Sequence, residues 1–134
     1  MINQESNLKS QKHSSKIKNE FMGRCYNFSV AVIKLTKELP ENKVYWSVCD
    51  QLIRSATSIG ANIIEGKSAS SKRDFIRYYE IALKSANETK YWLGLLRDAL
   101  DADKTDISKL MKETTELAKI LAASLITMKG KKQI

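Results

Sequence analysis

The chain has 134 residues, of which 43% are hydrophobic, with one proline and five glycines. That content excludes a disordered polymer, no run is apolar enough to span a bilayer, and so few breakers argue against many short strands. The net charge of +8 gathers toward the ends, where Lys9, Lys12 and Lys16 face only Glu5 and where Lys129, Lys131 and Lys132 close the chain. Basic ends suit a polyanion, although they also serve solubility.

Residues 1–17 are rich in serine and lysine and carry no helical apolar stripe, which predicts a disordered polar and basic arm. They hold no apolar signal core either, so the expected compartment is the cytoplasm. A first helix is expected over about 18–39. Phe21, Cys25, Phe28, Val32, Leu35 and Leu39 repeat at alternating spacings of four and three, which puts them on one stripe. Pro40 ends it.

A second helix is expected over about 43–67, with Tyr45, Cys49, Leu52, Ala56, Ile59 and Ile63 as its stripe. Gly60 inside it costs about 1 kcal/mol against alanine, which suggests a close helix neighbour. Gly66 reads as a left-handed stop. The third helix, about 71–101, opens on Ser71 with Asp74 three residues on, a capping arrangement. Its stripe is Phe75, Tyr79, Ala82, Ala86, Thr89, Leu93, Leu96 and Leu100. The small middle of this stripe is expected to meet Ala56 and Gly60. The fourth helix, about 105–129, follows a polar break with Asp103 as a cap-like residue. Ile107, Leu110, Thr114, Leu117, Leu121, Ser124 and Met128 form its stripe, widened by Ile120, Leu125 and Ile126. A basic tail, 130–134, completes the chain.

Short connections force successive helices to run antiparallel. The expected fold is therefore all-α, an up-down-up-down antiparallel four-helix bundle.

Two polar stripes lie beside the apolar ones. The second helix carries Gln51, Arg54, Ser55, Ser58, Asn62 and Glu65. The third carries Tyr78, Ser85, Glu88 and Trp92. Arg54 can fork onto a carboxylate such as Glu88 or Glu65, so Arg54, Ser55, Ser58, Asn62, Glu65, Ser85 and Glu88 read as a structural polar network or a subunit interface. A catalytic reading lacks a base, since His13 is the only histidine and lies in the polar arm. No glycine-rich phosphate loop and no metal-ligand spacing occur. No enzymatic activity, cofactor or metal is expected, and Cys25 and Cys49 read as free thiols. Lys67, Lys72, Arg73, Arg77 and Lys84 form a candidate nucleic-acid patch or a solvated helix end. Tyr78, Tyr91 and Trp92 can stack on bases or pack.

The segment Arg54-Ser-Ala-Thr-Ser-Ile-Gly-Ala-Asn-Ile-Ile-Glu-Gly66 resembles one that marks the bacterial four-helix bundle proteins encoded in intervening sequences of large-subunit ribosomal RNA genes. Ser85-Ala-Asn-Glu-Thr-Lys-Tyr-Trp-Leu93 and Lys72-Arg-Asp-Phe75 are similar to further parts of that family. The resemblance covers about Phe21 to Leu125. Departures are Gly60, where the family often has proline or a small residue, Ile64, where it often has alanine, the long polar arm before Phe21, and a fourth helix similar only in its amphipathic pattern. The family is similar to the accessory variability determinant proteins of diversity-generating retroelements, which are basic pentameric rings that bind nucleic acid and a reverse transcriptase. The resemblance thus implies the bundle fold, a homopentamer, and RNA or DNA and a reverse transcriptase as partners. It also implies an architectural role for Arg54, Asn62, Glu65, Ser85 and Glu88. The alternative from the residues alone is a protein-assembly module with no nucleic-acid role.

Overall fold

The computed structural model describes the backbone of residues 2–100 and 104–130, and the side chains of residues 20–100 and 104–130. Four helices follow in order: α1 Ile2–Glu38, α2 Lys43–Lys67, α3 Lys72–Ala99 and α4 Thr105–Gly130. No strand occurs among the described residues. The molecule is an all-α, antiparallel four-helix bundle.

α1 begins at Ile2 rather than near Lys18. Residues 2–19 contain neither proline nor glycine, so nothing local breaks the backbone hydrogen-bond ladder where the apolar stripe fades. The expected caps of α4 at Asp103 and the end of the basic tail, 131–134, lie outside the described residues.

At the other boundaries the chemistry is local. α1 stops at Glu38, two residues before Pro40. Asn42 caps α2, its Oδ1 accepting from the Val44 amide at 3.0 Å. Ser71 caps α3, its Oγ accepting from the Asp74 amide at 3.1 Å. Each cap satisfies an amide that the first helical turn leaves unpaired.

The interior is built from the stripes. Cys25, Phe28, Val32 and Leu35 of α1 meet Cys49, Leu52, Ala56, Ile59 and Ile63 of α2 in one core. Tyr79, Ala82, Ala86, Leu93, Leu96 and Leu100 join them from the third helical segment, and Ile107, Leu117, Leu121 and Leu125 from α4. Phe21, Leu39, Tyr45, Phe75, Leu110 and Met128 sit at the margins, half-buried against this core. Ile126 does not widen the apolar face: it is 74% exposed, because it points outward between the buried positions of α4.

The two glycines of α2 have different roles from those their spacing suggested. A Cβ on Gly60 would lie 3.4 Å from Cys25 Cβ, so the close neighbour is α1 and not the small stretch of α3. Gly66 does not take a left-handed turn, since no described residue has positive φ. α2 runs on to Lys67 and ends at Ser68, whose amide reaches the Glu65 carbonyl. Gly66 is instead buried under α3, where an added Cβ would meet Tyr78 Cβ at 3.3 Å and Phe75 Cδ2 at 3.7 Å.

The two sites should therefore respond differently to alanine. Gly60→Ala places its methyl at ordinary contact distance and removes the helix cost of glycine. It should raise stability by up to about 1 kcal/mol, read as a higher Tm. Gly66→Ala should show none of that gain, because its tight contact to Tyr78 absorbs it.

Candidate nucleic-acid and assembly surfaces

Between α2 and α3 the polar stripes divide into a buried ladder and an exposed face. In the ladder, Ser85 Oγ donates to Ser58 Oγ at 2.9 Å, and Asn62 Nδ2 donates to Ser58 Oγ at 2.9 Å and to the Ser58 carbonyl at 2.8 Å. One turn away, Thr89 Oγ1 lies 2.9 Å from Ser55 Oγ and 2.7 Å from the Ser85 carbonyl, while Ser55 Oγ lies 3.1 Å from the Leu52 carbonyl. Each hydroxyl has one proton. Ser55 and Thr89 thus serve three contacts with two protons, and every arrangement still leaves both oxygens bonded. Thr89 and Ser55 are buried, so this pairing ties the α2–α3 register to a polar link as well as to packing.

Arg54, Glu65 and Glu88 stay out of the ladder. Arg54 Nε bonds Asp50 Oδ2 at 3.1 Å, one turn back on its own helix, and its side chain is 74% exposed. The expected fork onto Glu88 or Glu65 does not form. Both carboxylates lie on the exposed surface, and Arg54 pairs instead with Asp50 on its own helix. Tyr91 is also exposed and packs edge-on against Trp92, their ring centroids 5.0 Å apart. Trp92 Nε1 is buried without a hydrogen-bond partner, the kind of orphan donor that native structures rarely leave. Tyr78 is half-buried beside Gly66.

The basic candidates follow from topology. Antiparallel packing brings the end of α2, the start of α3 and the end of α4 to one end of the bundle. Lys67, Lys72, Arg73 and Arg77 are exposed there. Arg73 and Arg77 line a groove of about 450 Å³ with Asp74, Ile76, Glu80 and Lys129. Lys129 Nζ reaches Glu80 Oε2 at 3.4 Å. Lys84 is exposed two turns further along α3 and does not line this groove. Lys129 belongs with the patch, although its place in a terminal basic run hid that: residues 49 apart in sequence meet only through the fold.

Another feature without a local sequence signal is the fork from Arg24 to Glu113, with Nε–Oε2 at 2.8 Å and Nη2–Oε1 at 2.6 Å. It ties α1 to α4, and the hydrogen bond to Glu113 raises the Arg24 pKa further.

The thiols are poor nucleophiles. Burial, aided by the Glu113 charge and only partly offset by Arg24, pushes Cys25 up to about 12. Burial raises Cys49 as well. At neutral pH both are protonated and shielded. Among the described residues no three His, Cys, Asp or Glu side chains are grouped to hold a metal ion. No helix there is long and apolar enough to cross a membrane.

Comparison with known proteins fits this architecture. No curated protein matches the chain. A solved protein of unknown function from Bacteroides thetaiotaomicron, from the S23 ribosomal protein family, shares 36% identity and a TM-score of 0.74 over 81% of this chain and 96% of that one. The family model described as 23S rRNA-intervening sequence protein matches residues 17–123. The chain belongs to the 23S rRNA-intervening sequence protein family.

Proposed function

We propose that the chain is a non-enzymatic, basic scaffold that associates with itself and holds nucleic acid without strong sequence preference. The observation that carries this reading is the gathering of Lys67, Lys72, Arg73, Arg77 and Lys129 at one end of the bundle. Phosphate contacts add in number, and such a surface reads backbone charge rather than base edges. A ring of copies, five by kinship, multiplies the patch. An RNA is the first ligand to test, since the family's description names the 23S rRNA intervening sequence. A reverse transcriptase or a ribosomal RNA element is the matching class of partner.

Self-association is supported by the exposed α2–α3 face. Among the described residues Arg54, Glu65 and Glu88 carry charge there with no cross-helix ion pair, and the orphan Trp92 Nε1 belongs to the ring that Tyr91 meets edge-on. Opposite charges on one face suit a head-to-tail contact, in which one copy's arginine meets the next copy's carboxylate. The same observation favours a second reading, an assembly module with no nucleic-acid role.

Two measurements separate the readings. Fluorescence anisotropy of labelled RNA and DNA across a salt series should show binding that weakens steeply as salt rises. Absence of binding at low salt leaves only the assembly module. Light scattering on the eluting protein should show an oligomer that Arg54→Glu reduces in mass and that Arg54→Glu with Glu88→Arg restores. A monomeric wild type would discard self-association.

A further inference from the structure

The basic end contains one concave element, the groove between the first turns of α3 and the last turns of α4. Arg73 and Arg77 stand one turn apart on α3, and Lys129 approaches from α4. Neither arginine has an ion-pair partner among the described residues, although Asp74 and Glu80 line the same groove. Among the described residues the sole ion pair within it is Lys129 with Glu80 at 3.4 Å, both side chains about half exposed. A pair so exposed adds little stability, so an incoming anion can take the lysine at little cost.

We propose that this groove seats a backbone phosphate of bound nucleic acid, with Arg73, Arg77 and Lys129 as its ligands and Glu80 as the carboxylate that the phosphate displaces from Lys129. The inference rests on the nucleic-acid reading above and gives it a location. Guanidinium forks match phosphate oxygens in a way that a point charge does not. Arginines at i and i+4 lie about 5–6 Å apart at Cβ, so they can grip one phosphate from two sides. The volume of about 450 Å³ falls within the usual range for a small-ligand pocket, which leaves room for sugar atoms beside the phosphate. Ile76 supplies an apolar floor.

The role of Glu80 distinguishes this seat from a diffuse basic surface. With the carboxylate present, Lys129 is shared between Glu80 and phosphate. With glutamine in its place, the lysine is released to phosphate alone.

The test is anisotropy of a labelled single-stranded RNA with the full chain and four variants, each checked for an unchanged thermal melt. The Arg73→Gln, Arg77→Gln double variant should weaken binding roughly ten-fold at low salt. It should also lower the slope of log affinity against log salt by up to about 0.7, the share of the one phosphate these residues hold on a single strand. Lys129→Gln should lower that slope by less than the double variant does, since the two arginines still hold the phosphate. Glu80→Gln should tighten binding roughly two-fold or more, whereas Glu38→Gln, at the opposite end of the bundle, should leave it unchanged.

Wild-type binding that the arginine and lysine variants leave intact overturns the seat while keeping the scaffold. Equal effects from Glu80→Gln and Glu38→Gln overturn it too, because they report only net charge. No wild-type binding at low salt removes both.

Discussion

Replacing Leu93 by alanine should cost about 3–5 kcal/mol, which is the usual range for a leucine closed in on every side. Leu93 is 0% exposed, and it lies where α3 meets the rest of the core. Typical stabilities are about 5–15 kcal/mol, so one truncation removes a large share. Tm should fall by roughly 10–15 °C. Leu93→Met keeps volume and apolar character and should cost less than about 1.5 kcal/mol. Urea unfolding of both variants checks this. A loss below 1 kcal/mol for the alanine variant, on the same scale, would mean that the position is open to collapse or to water.

Alkaline pH should unfold the protein through Cys25. The folded thiol is pushed up to about 12 from an ordinary value of 9.0, chiefly by burial. Between those values the unfolded chain has released its proton and the folded chain has not. The native state binds more protons there, so stability falls as pH rises. Below pH 9.0 the contribution is fully present, and it is lost once pH passes the folded value. The slope is at most about 1.4 kcal/mol per pH unit for one proton. Cys49 and Tyr79 are raised in the same direction by burial and steepen the fall. Stability of wild type and Cys25→Ala, measured from pH 8 to 11 by urea unfolding, should converge as pH increases. Parallel curves would show that the thiol does not titrate differently in the two states. In the folded protein at neutral pH, neither cysteine should react with a thiol reagent at a useful rate.

Much of the bundle was legible because its information is local. A stripe such as Cys49, Leu52, Ala56, Ile59 and Ile63 has helical spacing whatever surrounds it, and all five residues are buried. Ser71 with Asp74 reads as a cap from four residues. Pro40 stops a helix by its own chemistry. The misreadings came where two elements had to be placed against each other. Gly60 signalled close approach, but only the fold shows that Cys25 makes it. Gly66 looked like a turn and is a contact surface for α3. Arg54 had several carboxylates within plausible reach and took Asp50, the one on its own helix. Charge is the hardest case. Arg73 and Arg77 were evident near each other, whereas Lys129 read only as the last residue of the fourth helix in a basic terminal run until the fold laid it beside Glu80.

The ladder between α2 and α3 shows why polarity alone misleads. Ser55, Ser58, Asn62 and Ser85 share a composition with any catalytic or ligand-binding stripe. Their hydrogen bonds run to one another and to nearby carbonyls. That leaves Arg54, Glu65 and Glu88, which the same stripes had grouped with them, as the surface available to a neighbour.

The helices are not held equally. α1 packs along α2 through the Cys25–Gly60 approach, but it shares the fewest contacts with α4, where the Arg24–Glu113 fork is its polar tie. That fork is partly solvated, with side chains 40% and 31% exposed. Local opening follows the weakest seam, so α1 should be the stave that swings out first, leaving α2, α3 and α4 associated. In hydrogen exchange its amides should lose protection before those flanking the Ser55–Thr89 link. That result would give the molecule two layers of permanence: a hairpin of α2 and α3 that keeps its register, and an outer helix that comes and goes around it.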